Sequence, residues 1–483
     1  MDQEQHFLGP VDTAFLHVES EESPMNIGAV SLFDGHISYE QLVQLIDSRI
    51  YQAPIYQKRL LQDPMQLGPV KWVYDPDFHV RRHVFQRDLP APGDDDALRS
   101  LVGELLSDTL NRAKPLWEMY LINGLQGDRS AIFFKLHHCM VDGLEAVELF
   151  ALMLDFTPEI QPMRRKPLYD APYLPTKSEQ LIDGLREDLP HKVSILNKLR
   201  HDFEKVGALM TDKERRRRAF VGAANLLNDN LGLIHKLPIN GQNTGQQALA
   251  WAEFSLAEVR AIKATRKASV NDVMLTVLAA GLGRYAQAQR VDFNAQPFLR
   301  VLIPVSMRDD DDKGKFGNRI SVLPIDVPLV TSDPMERLEA TAHYTTTMKD
   351  SSLSIGLDII LTLPSLMPVG LQPFVWKLAP VAFSVLAHTW CTNVAGPQIP
   401  LYLLGNQLLG SYGFFPLNPS MGLACVVTSY NQRIAMTLVA DKGIVPDVEV
   451  VARYLEEAYI ELREAAKVTP REPVMLEQTR TTD

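Results

Sequence analysis

The sequence predicts an α/β protein of two domains, and three observations carry that reading. First, a chain of 483 residues exceeds what one hydrophobic core usually organises. Second, strand-like and helix-like patterns alternate from about Pro10 to Phe156. Third, a proline-rich break and a charged, helix-prone stretch separate that half from another of similar texture. The expected division is a first domain over 1–160, a linker and helical crossover over 161–237, a second domain over 238–467, and a tail over 468–483.

In chain order, Asn26 to Phe33 and Trp72 to Tyr74 read as strands, and Ala97 to Leu110 as a helix. Ala131 to Leu136 is an apolar run that reads as a strand. After it, Asp142 suits a helix N-cap and Glu145 its reciprocal capping-box partner. Leu144, Val147, Leu149, Phe150 and Leu154 continue the pattern as a mostly apolar helix. From Thr157 to about Thr176, Pro158, Pro162, Pro167, Pro172 and Pro175 give a semi-extended linker signature. Lys177 to Lys236 follows as the crossover. Its basic cluster Lys213 to Arg218 suits a solvated helix face, or alternatively an anionic lipid surface or CoA phosphates. The tail from Val468 is expected to be disordered.

Leu378 to Gln432 contains no Asp, Glu, Lys or Arg. Pro380, Pro397, Pro400, Pro416 and Pro419 interrupt it, so it is not a membrane-spanning helix. Buried strands account for part of it. The rest is expected to line an apolar channel or to touch a membrane or lipid droplet.

Bulk composition excludes several classes. The net charge of -11 argues against nucleic acid as the main partner. The three cysteines are too few for a disulfide framework and suggest a reducing, cytoplasmic setting. The polar, acidic start Met1 to Gln5 does not look like a secretory signal. No Gly-x-Ser-x-Gly elbow or phosphate-binding P-loop is present. Gly281 to Ala286 lacks a third glycine and suits helix packing. His79 and His83 stand four apart without an intervening Glu in a strand-like context, so no metal site is expected there.

The most informative stretch is His137-His138-Cys139-Met140-Val141-Asp142-Gly143, directly after the apolar strand. An imidazole held at a strand end is well placed to move protons near neutral pH. Strand alternation puts His138 on the face of Ile132, Phe134 and Leu136, and His137 on that of Phe133 and Lys135. His138 is therefore expected to face an apolar space. Cys139 is read as a small buried residue and not as a nucleophile.

Further blocks fall into order around this motif. They are Pro10 to His17, Pro115-Leu116-Trp117-Glu118, Asn271-Asp272-Val273, Pro304 to Arg308 followed by Gly317-Asn318, and Thr392 to Pro397. With these blocks the chain resembles the bacterial wax ester synthase/diacylglycerol acyltransferase family, a branch of the CoA-dependent acyltransferases. The family usually has Ser and Pro where Thr392 and Ala395 stand, and Ala in place of Cys139.

The resemblance implies two chloramphenicol-acetyltransferase-like domains, each a mixed sheet flanked by helices, with a tunnel at their interface. Acyl-CoA enters from one side, and a long-chain alcohol or diacylglycerol from the other. It implies His138 as general base, His137 orienting the turn, and Pro115, Leu116 and Trp117 against substrate. Asn271 is the candidate oxyanion donor, with a backbone N–H near Gly143 as the alternative. Asp142 is expected to be structural, paired with Arg308, because a carboxylate beside His138 would favour its protonated form. No metal or redox cofactor is implied. The implied location is cytoplasmic, peripheral to the inner membrane or lipid droplets. Two other classes fit parts of the pattern: a condensation enzyme acting on carrier-protein thioesters, and a non-catalytic lipid-binding or droplet protein.

Overall fold

A computed structural model describes residues 6–140, 150–162, 174–211, 234–306, 320–350, 362–378 and 386–471. A small antiparallel sheet joins β1 (His6–Phe7), β4 (Lys71–Tyr74) and β3 (Lys58–Leu61). The first large sheet takes β2 (Asn26–Asp34), β5 (Val84–Asp88), β6 (Trp117–Leu125) and β7 (Arg129–His137) from the N-terminal half. The C-terminal half supplies β8 (Gln247–Ser255), β9 (Phe298–Ser306), β10 (Ile320–Pro328), β11 (Thr389–Ala395), β12 (Tyr402–Leu403), β13 (Asn406–Phe414), β14 (Leu423–Tyr430) and β15 (Arg433–Asp441).

The strand orders are β12-β13-β2-β7-β6-β5 and β10-β9-β11-β14-β15-β8. Both sheets are mixed: β5 runs parallel to β6, and β11 parallel to β9 and β14, while the other pairs are antiparallel. The two-domain α/β architecture is therefore as expected, with one feature that segment boundaries miss. Strands β12 and β13 belong to the second half of the chain but complete the sheet of the first.

Hairpin β6–β7 shows how the sequence sets the register. Gly127 and Asp128 take left-handed φ of 76° and 52° at the turn, a conformation open to Gly and tolerated by Asp. Along β7, Ile132, Phe134 and Leu136 then pack into one core with Ile27 and Trp117. Ala131 and Phe133 pack into another, with Val30, Leu98 and Val102. This is the alternation expected of a strand buried on both faces.

Helices among the described residues are α1 (Pro10–Val18), α2 (Tyr39–Arg49), α3 (Asp95–Ser107), α4 (Lys177–Thr211), α5 (Leu256–Ala264), α6 (Val270–Ala288), α7 (Pro334–Asp350), α8 (Gln372–Trp376) and α9 (Val448–Ala465). Helix α6 is apolar nearly all round because sheet and helices enclose it; Val273, Met274, Leu275, Val277 and Leu278 are fully buried. A Cβ on Gly281 would stand 2.6 Å from Leu455 of α9, so this glycine sets helix packing as expected. Val468 packs onto the second core, so order continues into the start of the expected tail.

Candidate active site

Helix α1 forms one wall of the site. Pro10 pre-sets its first turn, and Asp12 accepts the N–H of Gly9 at 3.1 Å. Val11, Ala14, Phe15 and Val18, spaced three and four apart, turn one stripe toward an interior cavity. The cavity holds about 250 Å³ and lies between the two large sheets. Ile27, Ala29 and Phe134 line it from the first sheet, and Val394, Val426 and Thr428 from the second.

His138 enters this cavity just past the end of β7. Its backbone N–H donates to Met25 O at 2.8 Å, and the residue is 2% exposed. The ring stacks on Phe15 at 4.0 Å between centroids and meets Phe415 edge-on at 5.2 Å. The imidazole is thus held by aromatic faces in apolar surroundings, on the Phe134 side of the strand as its parity requires.

His137 turns the other way. Its N–H donates to Leu116 O at 2.9 Å, and its Nδ1 accepts the Cys139 N–H at 3.0 Å. Its other ring nitrogen, Nε2, stands 3.2 Å from Glu19 Oε1. Glu19 also pairs with Arg112 at 2.8 Å and accepts the Met25 N–H. Burial opposes ionisation of Glu19, but His137 and Arg112 outweigh it and hold the carboxyl at about 2. One buried carboxylate thus fixes both the imidazole beside His138 and, through Met25, the carbonyl that anchors His138.

Cys139 is buried and free. Burial first, then the charges of Asp12 and Glu19, push its thiol well above the usual range, the opposite of an activated nucleophile.

The structure places other sequence candidates away from the cavity. Leu116 and Trp117 are core residues: Trp117 pairs with Leu136 across the sheet, stacks on His83 and donates from Nε1 to Tyr56 O. The Pro115–Trp117 block therefore supports the histidine strand from behind and does not line the space His138 faces. The reason is register, since pairing with β7 buries this face against Tyr56 and Phe134. Asn271 is the second residue of α6, whose N-cap is Ser269, and it is not among the lining residues. His83 is likewise a core residue, its imidazole pushed down to about 4 by burial. Asp142, Gly143 and Arg308 lie outside the described residues, as do Glu145 and the basic cluster 213–218.

The uncharged span supplies much of the wall, including Trp390, Thr392, Leu401, Ser411, Phe415 and Asn418. Sequence reasoning missed Asn418. Ser411, Thr428, Ser429 and Tyr430 in this wall are each hydrogen-bonded to protein. Asn418 Oδ1 is buried without a hydrogen-bond partner among the described residues. Its backbone is fixed, with the carbonyl accepting from Asn243 Nδ2 and the Met421 N–H.

A buried imidazole at a strand end, facing an apolar space between two mixed sheets, defines a two-domain acyltransferase. The chain belongs to the wax ester synthase/diacylglycerol acyltransferase family. The family's catalytic domain matches residues 8–274 and its C-terminal domain residues 316–463. A probable diacylglycerol O-acyltransferase of Mycobacterium tuberculosis is 26% identical over 473 residues, covering 96% of this chain and 98% of that protein. A second such protein from that species is 25% identical over 482 residues, covering 95% and 99%. Among solved structures, the wax ester synthase/diacylglycerol acyltransferase of Marinobacter aquaeolei VT8 superposes with a TM-score of 0.66 at 23% identity, covering 96% of this chain and all of that one. The first condensation domain of the calcium-dependent antibiotic synthetase shares the fold with a TM-score of 0.60 at 14% identity, covering 96% and 97%.

Proposed function

We propose that the protein moves a fatty acyl group from acyl-CoA to the hydroxyl of a long-chain alcohol or of diacylglycerol. The observation that carries this reading is His138, an imidazole set in a cavity wall that is otherwise largely apolar. In the proposed step His138 takes the hydroxyl proton while the oxygen attacks the thioester carbonyl carbon. As the tetrahedral intermediate collapses, the C–S bond breaks and the imidazolium returns the proton to the CoA thiolate. Holding both substrates in one cavity makes a covalent acyl-enzyme unnecessary, and the high thiol pKa of Cys139 agrees.

The oxyanion needs a donor. Asn418 lines the cavity and its carboxamide NH2 is a donor, which supports that role better than Asn271, which is not among the lining residues. The reaction calls for no metal or redox cofactor, since acyl-CoA is a substrate.

The setting we propose is cytoplasmic and peripheral to a membrane or lipid droplet. Among the described residues no helix is long and apolar enough to cross a bilayer. A carrier-protein thioester as donor is disfavoured because the family match lies with the lipid acyltransferases, and the condensation domains share the fold alone.

The test is release of free CoA thiol from palmitoyl-CoA offered hexadecanol or diacylglycerol, with ester products followed by chromatography. Thiol release with matching wax ester or triacylglycerol is expected. No acceptor-dependent release with either would sink the proposal and favour a non-catalytic lipid-binding protein.

A further inference from the structure

Two hydrogen-bond donors in the wall of the His138 cavity have nothing to give to among the described residues. Tyr430, the last residue of β14, is buried, and its hydroxyl oxygen accepts the Leu401 N–H at 2.8 Å. That bond uses a lone pair and leaves the phenol proton to give. Burial holds the phenol at about 12, so the proton stays on at neutral pH. Trp376, the last residue of α8, is 3% exposed, and its Nε1 is buried without a hydrogen-bond partner. Both residues line the cavity.

An indole N–H can only donate, and a buried donor left unpaired carries a desolvation cost that a ligand oxygen would remove. The reacting carbonyl does not call for these two donors, since Asn418 is proposed for its oxyanion. The two acceptors proposed for the reaction differ in what they offer. A long-chain alcohol carries one hydroxyl, whose proton goes to His138. Diacylglycerol carries the same hydroxyl and also two ester carbonyls, which accept hydrogen bonds and donate none. Spare donors therefore gain from the glyceride and nothing from the alcohol. A site built to hydrogen-bond a group discriminates strongly against the analogue that lacks it.

We propose that Tyr430 and Trp376 are specificity-determining residues of the acceptor site, donating to the ester carbonyls of diacylglycerol and so favouring it over a long-chain alcohol. Tyr430 comes from the second large sheet and Trp376 from α8, so each donor can meet a different arm of a forked glyceride. The choice of ligand rests on the acyl-transfer reading. The pantetheine arm of acyl-CoA also carries carbonyls, in its two amides, and the experiment separates that occupant from the glyceride.

The test is titration calorimetry of the full chain with dioctanoylglycerol and with its diether analogue, which keeps the shape and the hydroxyl but lacks both carbonyls. The wild type is expected to bind the diester at least about tenfold more tightly, the worth of pairing a buried donor. Tyr430→Phe and Trp376→Phe should each cut that preference severalfold, and the wild-type comparison stands even where a variant fails to fold. With palmitoyl-CoA present, the ratio of kcat/KM for dioctanoylglycerol to that for decanol should fall in step. Equal wild-type binding of diester and diether overturns the proposal, as does a preference that survives either substitution. A variant that raises KM for palmitoyl-CoA and leaves the acceptor ratio alone assigns its donor to the pantetheine arm and overturns it too. A diester preference lost in the variants, with no turnover by any of the proteins, upholds the donors and overturns the acyl-transfer reading instead.

Discussion

His138 and His137 are neighbours in sequence with opposite surroundings, and substitution should separate their roles. His138 stacks on Phe15 and meets Phe415 edge-on in the cavity wall, and His138→Ala is expected to keep most of the melting temperature and lose turnover. The expected loss is about 10²–10⁴-fold, as for a missing general base. His137→Ala removes one partner of the Glu19 carboxylate and should cost about 1–3 kcal/mol of stability, because Arg112 and the Met25 N–H still hold the charge. Denaturation curves and initial rates on both variants check this; equal stability with a greater rate loss at His137 would reverse the assignment. Asn418→Ala should lower kcat by about 10²-fold or more with little change in KM, the pattern of a contact made mainly in the transition state. A change in KM alone would make Asn418 a binding residue instead of an oxyanion donor.

At the scale of elements, the turn after α1 and the end of β7 are joined through Glu19, and that joint carries a pH signature. The folded-state carboxyl is at about 2, below the ordinary 4.5. A depressed carboxylate contributes its stability fully above the unfolded value and loses it as pH falls through the folded one. The wild type should therefore lose stability between pH 4.5 and about 2, by roughly 3 kcal/mol from this group. Glu19→Gln should be less stable at neutral pH, and the gap should close across that window. Urea denaturation of both proteins at several pH values checks it. A gap independent of pH would show that Glu19 acts by shape and not by charge.

The elements also mark where reading the sequence succeeds and stops. Parity along Ala131 to His138 put His138 in the apolar space because a strand's faces follow from sequence spacing alone. Glu19 escaped notice because 118 positions separate it from His137, and only tertiary packing closes that distance. Trp117 looked like substrate wall because an aromatic in a motif suits either side of a sheet, and register decides. Helix α4 falls in the stretch expected to be a charged, helix-prone crossover, and which of its faces meets the protein depends on Lys71 of β4 and on Gly68 just before that strand.

For the whole molecule, the paired cores and the uncharged stretch between Leu378 and Gln432 were legible, and much of the cavity wall comes from that stretch as expected. The exchange of β12 and β13 was not, since short antiparallel strands carry no label for the sheet they join. That exchange constrains how the protein can work. Strand β13 pairs with β2 from Phe33 to Gly28, and the same segment runs on through Phe415 and Asn418 at the cavity into β14 of the other sheet. The halves are thus laced together by a backbone ladder beside the cavity that His138 lines. Swinging them apart like a clamshell would break that ladder, so a wide separation of the two halves would cost the backbone hydrogen bonds between β13 and β2.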